Sequence, residues 1–328
     1  MKILVVGCGS IGARHICNLK ALQVGEIAIC EPNKSRLSTL MEKHSLTEVF
    51  TDLGDALSNG YEAVLVCTPP STHIAIAREA IEHGAHVFIE KPLSNTLDGV
   101  DDLIKQASKK KRIISVGYNF RFHPGLIMIK NCIANKEIGD ALTARAQFGQ
   151  YLPDWRPEQD YTKSYTARSK LGGGIILDGS HEIDYMRWLF GNVREAFCYT
   201  KDTPSLKTDT EGIAEILLRF KSGCLGEIHL DYVRPGYARD LEIIGERGVI
   251  KWNYESKAID KYLQKTEEWN SIRLEGENTD MYIAEIKNFI ASTKGLEEPF
   301  VSCTEGKRSL EVVLAIKESA STGRVIKL

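Results

Sequence analysis

The stretch KILVVGCGSIGARHICNL, residues 2–19, changes character at its first glycine. Lys2 to Val6 is a short apolar run, the pattern of a buried strand. Ile11 to Leu22 then sets Ile11, Ile16, Leu19 and Leu22 at helical spacing. Between them, Gly7-Cys8-Gly9-Ser10-Ile11-Gly12 is a GxGxxG sequence at a strand-to-helix junction. Gly7 permits the tight turn, Gly9 admits a pyrophosphate to the backbone, and Gly12 lets the helix sit close to the strand. The helix N-terminus at Ser10 and Ile11 then offers its N–H groups to the phosphates. Glu31 closes a second apolar run, Glu26 to Cys30, nineteen residues after Gly12. Its carboxylate suits ribose hydroxyls and repels a 2′-phosphate, so the stretch predicts dinucleotide binding with NAD preferred over NADP. Lys34 and Arg36 are the counter-signal. They are either partners for a 2′-phosphate or the solvated first turn of the next helix.

Outward from this junction the pattern repeats. Ala63–Cys67, His86–Ile89 and Arg112–Gly117 read as strands, and amphipathic stretches such as Ser71–His83 separate them. Continuous apolar strands alternating with helices predict a doubly wound parallel sheet covered on both faces. Two loops at carboxyl ends of strands, Thr68-Pro69-Pro70-Ser71-Thr72-His73 and Glu90-Lys91-Pro92, are expected to line the ligand crevice of such a sheet. Thr68, Pro69, His73, Glu90 and Lys91 are therefore expected beside the cofactor. Asn119 is expected there too, with Arg121 and His123 next to it at the domain hinge. Lys91, desolvated at a strand end, is poised for acid–base work. The bland alternative is an exposed loop lysine.

With 328 residues, the chain predicts two domains, 1–119 and 120–328. A hydrophobic content of 43%, a charged content of 26% and a net charge of −2 describe a globular protein without a nucleic-acid signal. The one basic run, Lys109–Arg112, closes a helix, where cations complement the dipole. The eight cysteines are scattered without a CxxC, so reduced thiols in a cytoplasmic protein are expected. No apolar run reaches the roughly 18 residues of a membrane span.

Beyond Asn119 the alternation stops. Ala141–Leu152, Arg194–Lys201, Gly212–Phe220, Leu225–Val233 and Asp240–Ile244 read as longer, partly alternating strands, with hairpin turns at 221–223 and 246–248. An open antiparallel sheet with helices at 124–135, 280–293 and 306–321 follows. Within it lies GGGIILDGSHEID, residues 172–184. If a helix starts near Asp178, then Asp178, His181 and Asp184 share one face. Asp178 is then either a functional carboxylate or a helix N-cap. A metal at Asp178, His181 and Glu182 is disfavoured, because no second histidine lies at ligand spacing. The preceding segment, 151–168, is long for a structureless loop and marks a functional one. Trp155 and Tyr165 suit stacking on a sugar. Arg156, Lys163 and Arg168 suit a carboxylate or phosphate, and Arg121 can contact either ligand or brace the hinge.

GCGSIG, TPPSTH, EKP, GYNFRFHP (117–124) and GGGIILDGSHEID, in this order, resemble the glucose–fructose oxidoreductase/inositol dehydrogenase/MocA family over the whole chain. The resemblance implies a Rossmann domain and an α/β domain whose large open, mainly antiparallel sheet often mediates oligomers. It further implies NAD(P)-dependent hydride transfer at a carbinol of a sugar, cyclitol or sugar derivative, with no metal required, and a homo-dimer or homo-tetramer. Lys91 matches the family's EKP lysine, and Pro92 its often cis-bonded proline. His181 is then the acid/base for the alcohol proton, with Lys91 polarising or sharing it. Asp178 positions the substrate or orients the pair, and Asp184 holds the other ring nitrogen. One departure stands out: inositol-type members separate the Asp and His by four positions, and here the spacing is three. Two other readings share these motifs, an enzyme that recycles a tightly bound NAD and a non-catalytic NAD sensor.

Overall fold

A computed structural model describes residues 1–277 and 279–328. These divide into two compact units, Met1–Asn119 with Tyr282–Arg308, and Phe120–Met281 with Ser309–Leu328. The break after Asn119 falls where the sequence alternation ends. Residues 282–308, by contrast, belong to the first unit and not to the second.

The first unit runs β1 (Lys2–Val6), α1 (Ser10–Ala21), β2 (Glu26–Cys30), α2 (Lys34–His44), β3 (Val49–Phe50), α3 (Leu53–Leu57), β4 (Ala63–Val66), α4 (His73–Glu82), β5 (His86–Glu90), α5 (Val100–Lys110) and β6 (Ile114–Gly117). Its described strands form a sheet in the order β3-β2-β1-β4-β5-β6, with every pair parallel. This is the doubly wound order, in which the chain reverses direction beside β1. The strands are buried on both faces, so they read as unbroken apolar runs. Ile3, Val5, Ile29, Leu65 and Phe88 form the core with Ile16 and Leu19 of α1. Ile286 and Phe289, from far along the chain, complete it.

The second unit opens with α6 (Pro124–Ala134), whose first turn is capped by His123 Nδ1 accepting from the Gly125 N–H at 3.1 Å. There follow β7 (Ala141–Gly149), α7 (Ile175–Asp178), α8 (Ser180–Phe190), β8 (Val193–Lys201), β9 (Ile213–Phe220), β10 (Leu225–Asp231), β11 (Ala238–Gly245), β12 (Gly248–Asn253), β13 (Ala258–Leu263) and β14 (Glu268–Arg273). Helices α9 (Asp280–Thr293) and α10 (Cys303–Thr322) and the short β15 (Ile326–Lys327) end the chain. The described strands make one open sheet, β14-β13-β12-β11-β7-β10-β9-β8-β15. All its pairs are antiparallel except β7 with β10. Alternation separates its faces. Ala146, Phe148, Ile216, Leu218, Ile228 and Ile243 are buried, and α7 and α8 lie against the sheet. On the opposite face Leu217, Glu227, Arg145, Glu242 and Lys251 stand in register across five strands. Arg145 pairs with Glu227 at 3.0 Å and Lys251 with Glu242 at 3.4 Å. The sequence reading missed β12 to β15. β13 is mostly half-buried and β14 largely exposed, and the period-2 apolar signal fades as burial is lost; β12 does alternate, with Ile250 and Trp252 buried, but spans only six residues.

All eight cysteines are free, and all but Cys17 are buried. Burial pushes the Cys30 and Cys224 thiols up to about 11, so they are protonated and inert. No helix among the described residues is long and apolar enough to cross a membrane.

Candidate active site

The glycine loop joins β1 to α1 as the spacing predicts. Gly7 has φ +84°, a conformation glycine adopts without strain. A Cβ on Gly12 would run into the Gly7 carbonyl oxygen, so only glycine lets α1 lie this close to β1. Gly9 is the opposite case: a Cβ there would meet nothing within 4 Å. No side chain caps the first turn of α1, and no acidic residue lies in it. The N–H groups at Ser10 and Ile11 thus make an anion-binding helix N-terminus with clear space at Gly9. Glu31 lies at the carboxyl end of β2. Its Oε2 accepts from the Cys8 N–H (2.9 Å) and its Oε1 from the Asn33 N–H (3.0 Å), which fixes the carboxylate beside the loop. Arg36 donates to Glu31 Oε2 at 3.2 Å, while Lys34 is exposed.

The two carboxyl-end turns are tied to each other. His73 Nε2 faces the Thr68 carbonyl at 2.8 Å and Nδ1 faces the Pro92 carbonyl at 3.0 Å. Burial pulls the ring below the ordinary histidine pKa, against the two carbonyls that favour the charged form. The buried ring thus ties together the two turns expected beside the cofactor. Thr68 Oγ1 accepts from Thr72, and Thr68 and Pro69 are half-buried. The Lys91–Pro92 bond is cis, and Lys91 is half-buried. Glu90 departs from expectation, because its carboxylate turns inward to His15 at 2.6 Å. Asn119 is buried at the end of β6. Neither end of its amide makes a well-formed hydrogen bond among the described residues, although the Tyr282 hydroxyl lies beside it. A buried amide with open valences, an uncapped helix start and a carboxylate at the end of β2 fit a dinucleotide.

In the second unit, 172–184 is two helices with a break at Gly179, not one helix begun at Asp178. Asp178 closes the one-turn α7, which rules out the N-cap. Its carboxylate accepts from Tyr165 Oη at 2.9 Å and Tyr232 Oη at 2.6 Å. Burial and the Asp178 charge push both phenols well above their ordinary pKa, so they stay neutral donors. His181 lies on the first turn of α8, 8% exposed, with its ring 4.9 Å from that of Phe120. Asp184, expected to hold the imidazole, receives a two-pronged bond from Arg121: Nε to Oδ2 and Nη2 to Oδ1, both 2.8 Å. It also accepts from Ser309 at 2.6 Å. Arg121 is itself buried, and its guanidinium braces α8 through Asp184. Glu182 pairs with Arg239 at 2.8 Å, whose guanidinium lies over the rings of Phe120 and Phe148.

The glycines before α7 face protein. Gly173 leaves no room for a Cβ against the Tyr165 and Thr166 carbonyls, and a Cβ on Gly174 would meet the Glu211 carboxylate at 2.5 Å. Segment 151–171 folds into short 3-10 turns instead of a structureless loop. Trp155 donates to the Gln150 carbonyl at 3.1 Å and sets its ring 5.3 Å from Tyr232. Arg156 lies near the Tyr165 phenol, and Arg168 is exposed. Neither has an ion-pair partner among the described residues. Tyr232 and Ser309 escaped the sequence reading, since they sit 54 and 125 residues from the acids they serve.

Residues 1–118 match the oxidoreductase family with an NAD-binding Rossmann fold, and residues 127–251 match the GFO/IDH/MocA C-terminal domain. The myo-inositol 2-dehydrogenase of Thermotoga maritima is 31% identical over 100% of this chain and 98% of its own length. The inositol 2-dehydrogenase of Burkholderia lata is 28% identical over 76% of this chain and 73% of its own. The WlbA dehydrogenase of Bordetella pertussis, solved with NADH and UDP-GlcNAcA, has the same fold with a TM-score of 0.86. It is 22% identical and covers 100% of this chain and 98% of that one. The glycine loop, the Glu90-Lys91-Pro92 turn, the His181 helix and the full-length match converge: the chain is an NAD-binding oxidoreductase of the Gfo/Idh/MocA family.

Proposed function

We propose that the protein is an NAD-dependent dehydrogenase or reductase acting on a CH–OH group of a sugar, cyclitol or sugar derivative. The observation that carries this reading is the full-length likeness to the Thermotoga myo-inositol 2-dehydrogenase, with Lys91 and His181 both present. Gly7, Gly9, Ser10, Ile11, Gly12, Glu31, Thr68, Pro69 and Asn119 would hold the dinucleotide. A bound nicotinamide supplies the hydride acceptor. His181 takes the alcohol proton, and Lys91 polarises the same oxygen. Asp178, saturated by two phenols, orients Tyr165 instead of moving a proton. The pinned Glu31 carboxylate supports NAD over NADP. The exposed Tyr199 and Leu217 on the open sheet face support self-association as a dimer or tetramer; the eight free cysteines support a reducing, cytoplasmic setting.

An anionic or nucleotide-linked substrate is favoured by Arg156 and Arg168, two cations without an ion-pair partner among the described residues beside Trp155 and Tyr165. The likeness to a dehydrogenase solved with UDP-GlcNAcA agrees with it.

The test is NADH formation by purified protein across inositols, free sugars, uronic acids and UDP-sugars, with Lys91→Ala and His181→Ala alongside. A substrate turned over by the wild type and slowed at least about a hundredfold in both variants supports the assignment. Turnover without net NADH, from a protein that purifies with NAD bound, would replace it with internal cofactor recycling. NAD affinity without any turnover would point to a sensor.

A further inference from the structure

One buried cluster is left unused by this reading. His15 on α1, Glu90 at the end of β5 and Glu285 on α9 bring an imidazole nitrogen and two carboxylate oxygens within 4.8 Å of one another, all inside the first unit. Glu90 is well engaged: His15 Nε2 lies 2.6 Å from its Oε1, and the Lys91 N–H donates to its Oε2 at 3.2 Å. Glu285 is 3% exposed, and neither of its oxygens has a hydrogen-bond partner among the described residues. Among the described residues no group donates a hydrogen bond that would stabilise a charge on Glu285. Arg14 is stacked on the Tyr282 ring at 4.7 Å, and Lys91 follows Glu90 in the chain. The other titratable groups facing the pair are Cys67 from β4, His73 from α4 and Tyr282 from α9. Burial holds the Cys67 thiol and the Tyr282 phenol neutral.

Either a cation or a proton must supply the missing charge. Ligands about 2.0–2.2 Å from a tetrahedral metal lie roughly 3.3 Å from each other. The 2.6 Å contact between His15 and Glu90 is too short for that and is a hydrogen bond.

We propose that Glu285 is held protonated beside Glu90, and that this neutral acid lets the Glu90 carboxylate position the Lys91 turn. Glu285 keeps the proton, while the Glu90 carboxylate accepts from the Lys91 N–H and faces His15 Nε2. Burial and the Glu90 charge both raise Glu285 well above its ordinary value of 4.5. The folded chain therefore carries one proton that the unfolded chain has lost. The sign follows: this contribution is unpenalised below pH 4.5 and weakens as pH rises toward the raised value, by about tenfold in the folding constant per pH unit.

The experiment uses the full-length protein and Glu285→Gln, which is close in shape to the neutral acid. At neutral pH in D2O the wild type should show a protonated-carboxyl stretch in the infrared that Glu285→Gln lacks. The folding constant, followed upward from about pH 5, should fall more steeply in wild type than in Glu285→Gln by that one-proton slope until the raised value is reached. Should Glu285→Gln fail to fold, Glu90→Gln provides the check: it should keep the band but lose it at lower pH, because the like charge is gone. Neither readout needs turnover, so both are independent of the dehydrogenase assignment. No carboxyl band with equal pH slopes would overturn the proposal. So would one equivalent of a divalent metal in the purified wild type that is missing from Glu285→Gln.

Discussion

Two phenols reach Asp178 from different parts of its unit, Tyr165 from the turns before α7 and Tyr232 from just past β10. Tyr232 is fully buried, whereas Tyr165 lies among the 3-10 turns and is half-buried. The two bonds look alike but should fail differently. Tyr232→Phe leaves a buried carboxylate short of a donor and should lower the unfolding free energy by about 1.5–3 kcal/mol, read by equilibrium urea unfolding. Tyr165→Phe should cost less stability and instead raise KM, because it frees the segment carrying Trp155, Arg156 and Arg168. Equal stability losses and unchanged KM would sink the view that Asp178 orients Tyr165. At this scale the sequence was a partial guide. Spacing along 172–184 singled out the acids and His181, but the break at Gly179 puts Asp178 on α7 and His181 and Asp184 on α8. Spacing is silent on Tyr232, Ser309 and Arg239, whose partners arrive from other strands and helices. Hence Asp184 was read as an imidazole partner when it anchors Arg121.

At the scale of elements, the strand–loop–helix from β1 to α1 was legible almost residue for residue. A buried parallel strand, glycines and an amphipathic helix each leave a strong local signature. Its glycines nevertheless have separable jobs. Gly12→Ala forces a Cβ into the Gly7 carbonyl oxygen and brings it within 3.4 Å of Cys67, so α1 must move away from the sheet. It should cost about 1–3 kcal/mol or more in thermal unfolding, with or without NAD. Gly9→Ala meets open space, and Gly9 already has φ −66°, which alanine tolerates. It should change stability by no more than about 0.5 kcal/mol yet weaken NAD by at least about tenfold, because its methyl group occupies the approach of a pyrophosphate. Calorimetric titration with NAD would decide. A Gly9→Ala protein with wild-type affinity would place the phosphates elsewhere. In the second unit the same reasoning had less to grip. β13 and β14 present mostly exposed or half-buried side chains, so nothing in their pattern distinguishes a strand from a solvated loop.

At the scale of the whole molecule, the first unit is discontinuous in sequence. The boundary after Asn119 was visible because alternation of strand and helix stops there. The return of 282–308 was not, since an amphipathic helix announces that it packs on something but not on what. The contacts are specific. Phe289 sets its ring 5.7 Å from Phe88, and Ile286 is fully buried. The Val116 N–H donates to the Val301 carbonyl at 2.9 Å, and Gly306 leaves no room for a Cβ against Val116. Stripping this segment would expose Phe88, Leu65 and neighbouring core residues, and would leave the edge strand β6 without its bridge to Ser302. A fragment of residues 1–119 should therefore keep helical circular dichroism but lose near-ultraviolet signal, bind a hydrophobic dye and melt without a sharp transition. The same fragment joined by a flexible linker to residues 282–308 should recover cooperative unfolding. If residues 1–119 alone melted as sharply and at the same temperature as the linked form, the returning segment would be a passenger on the unit and not part of its core.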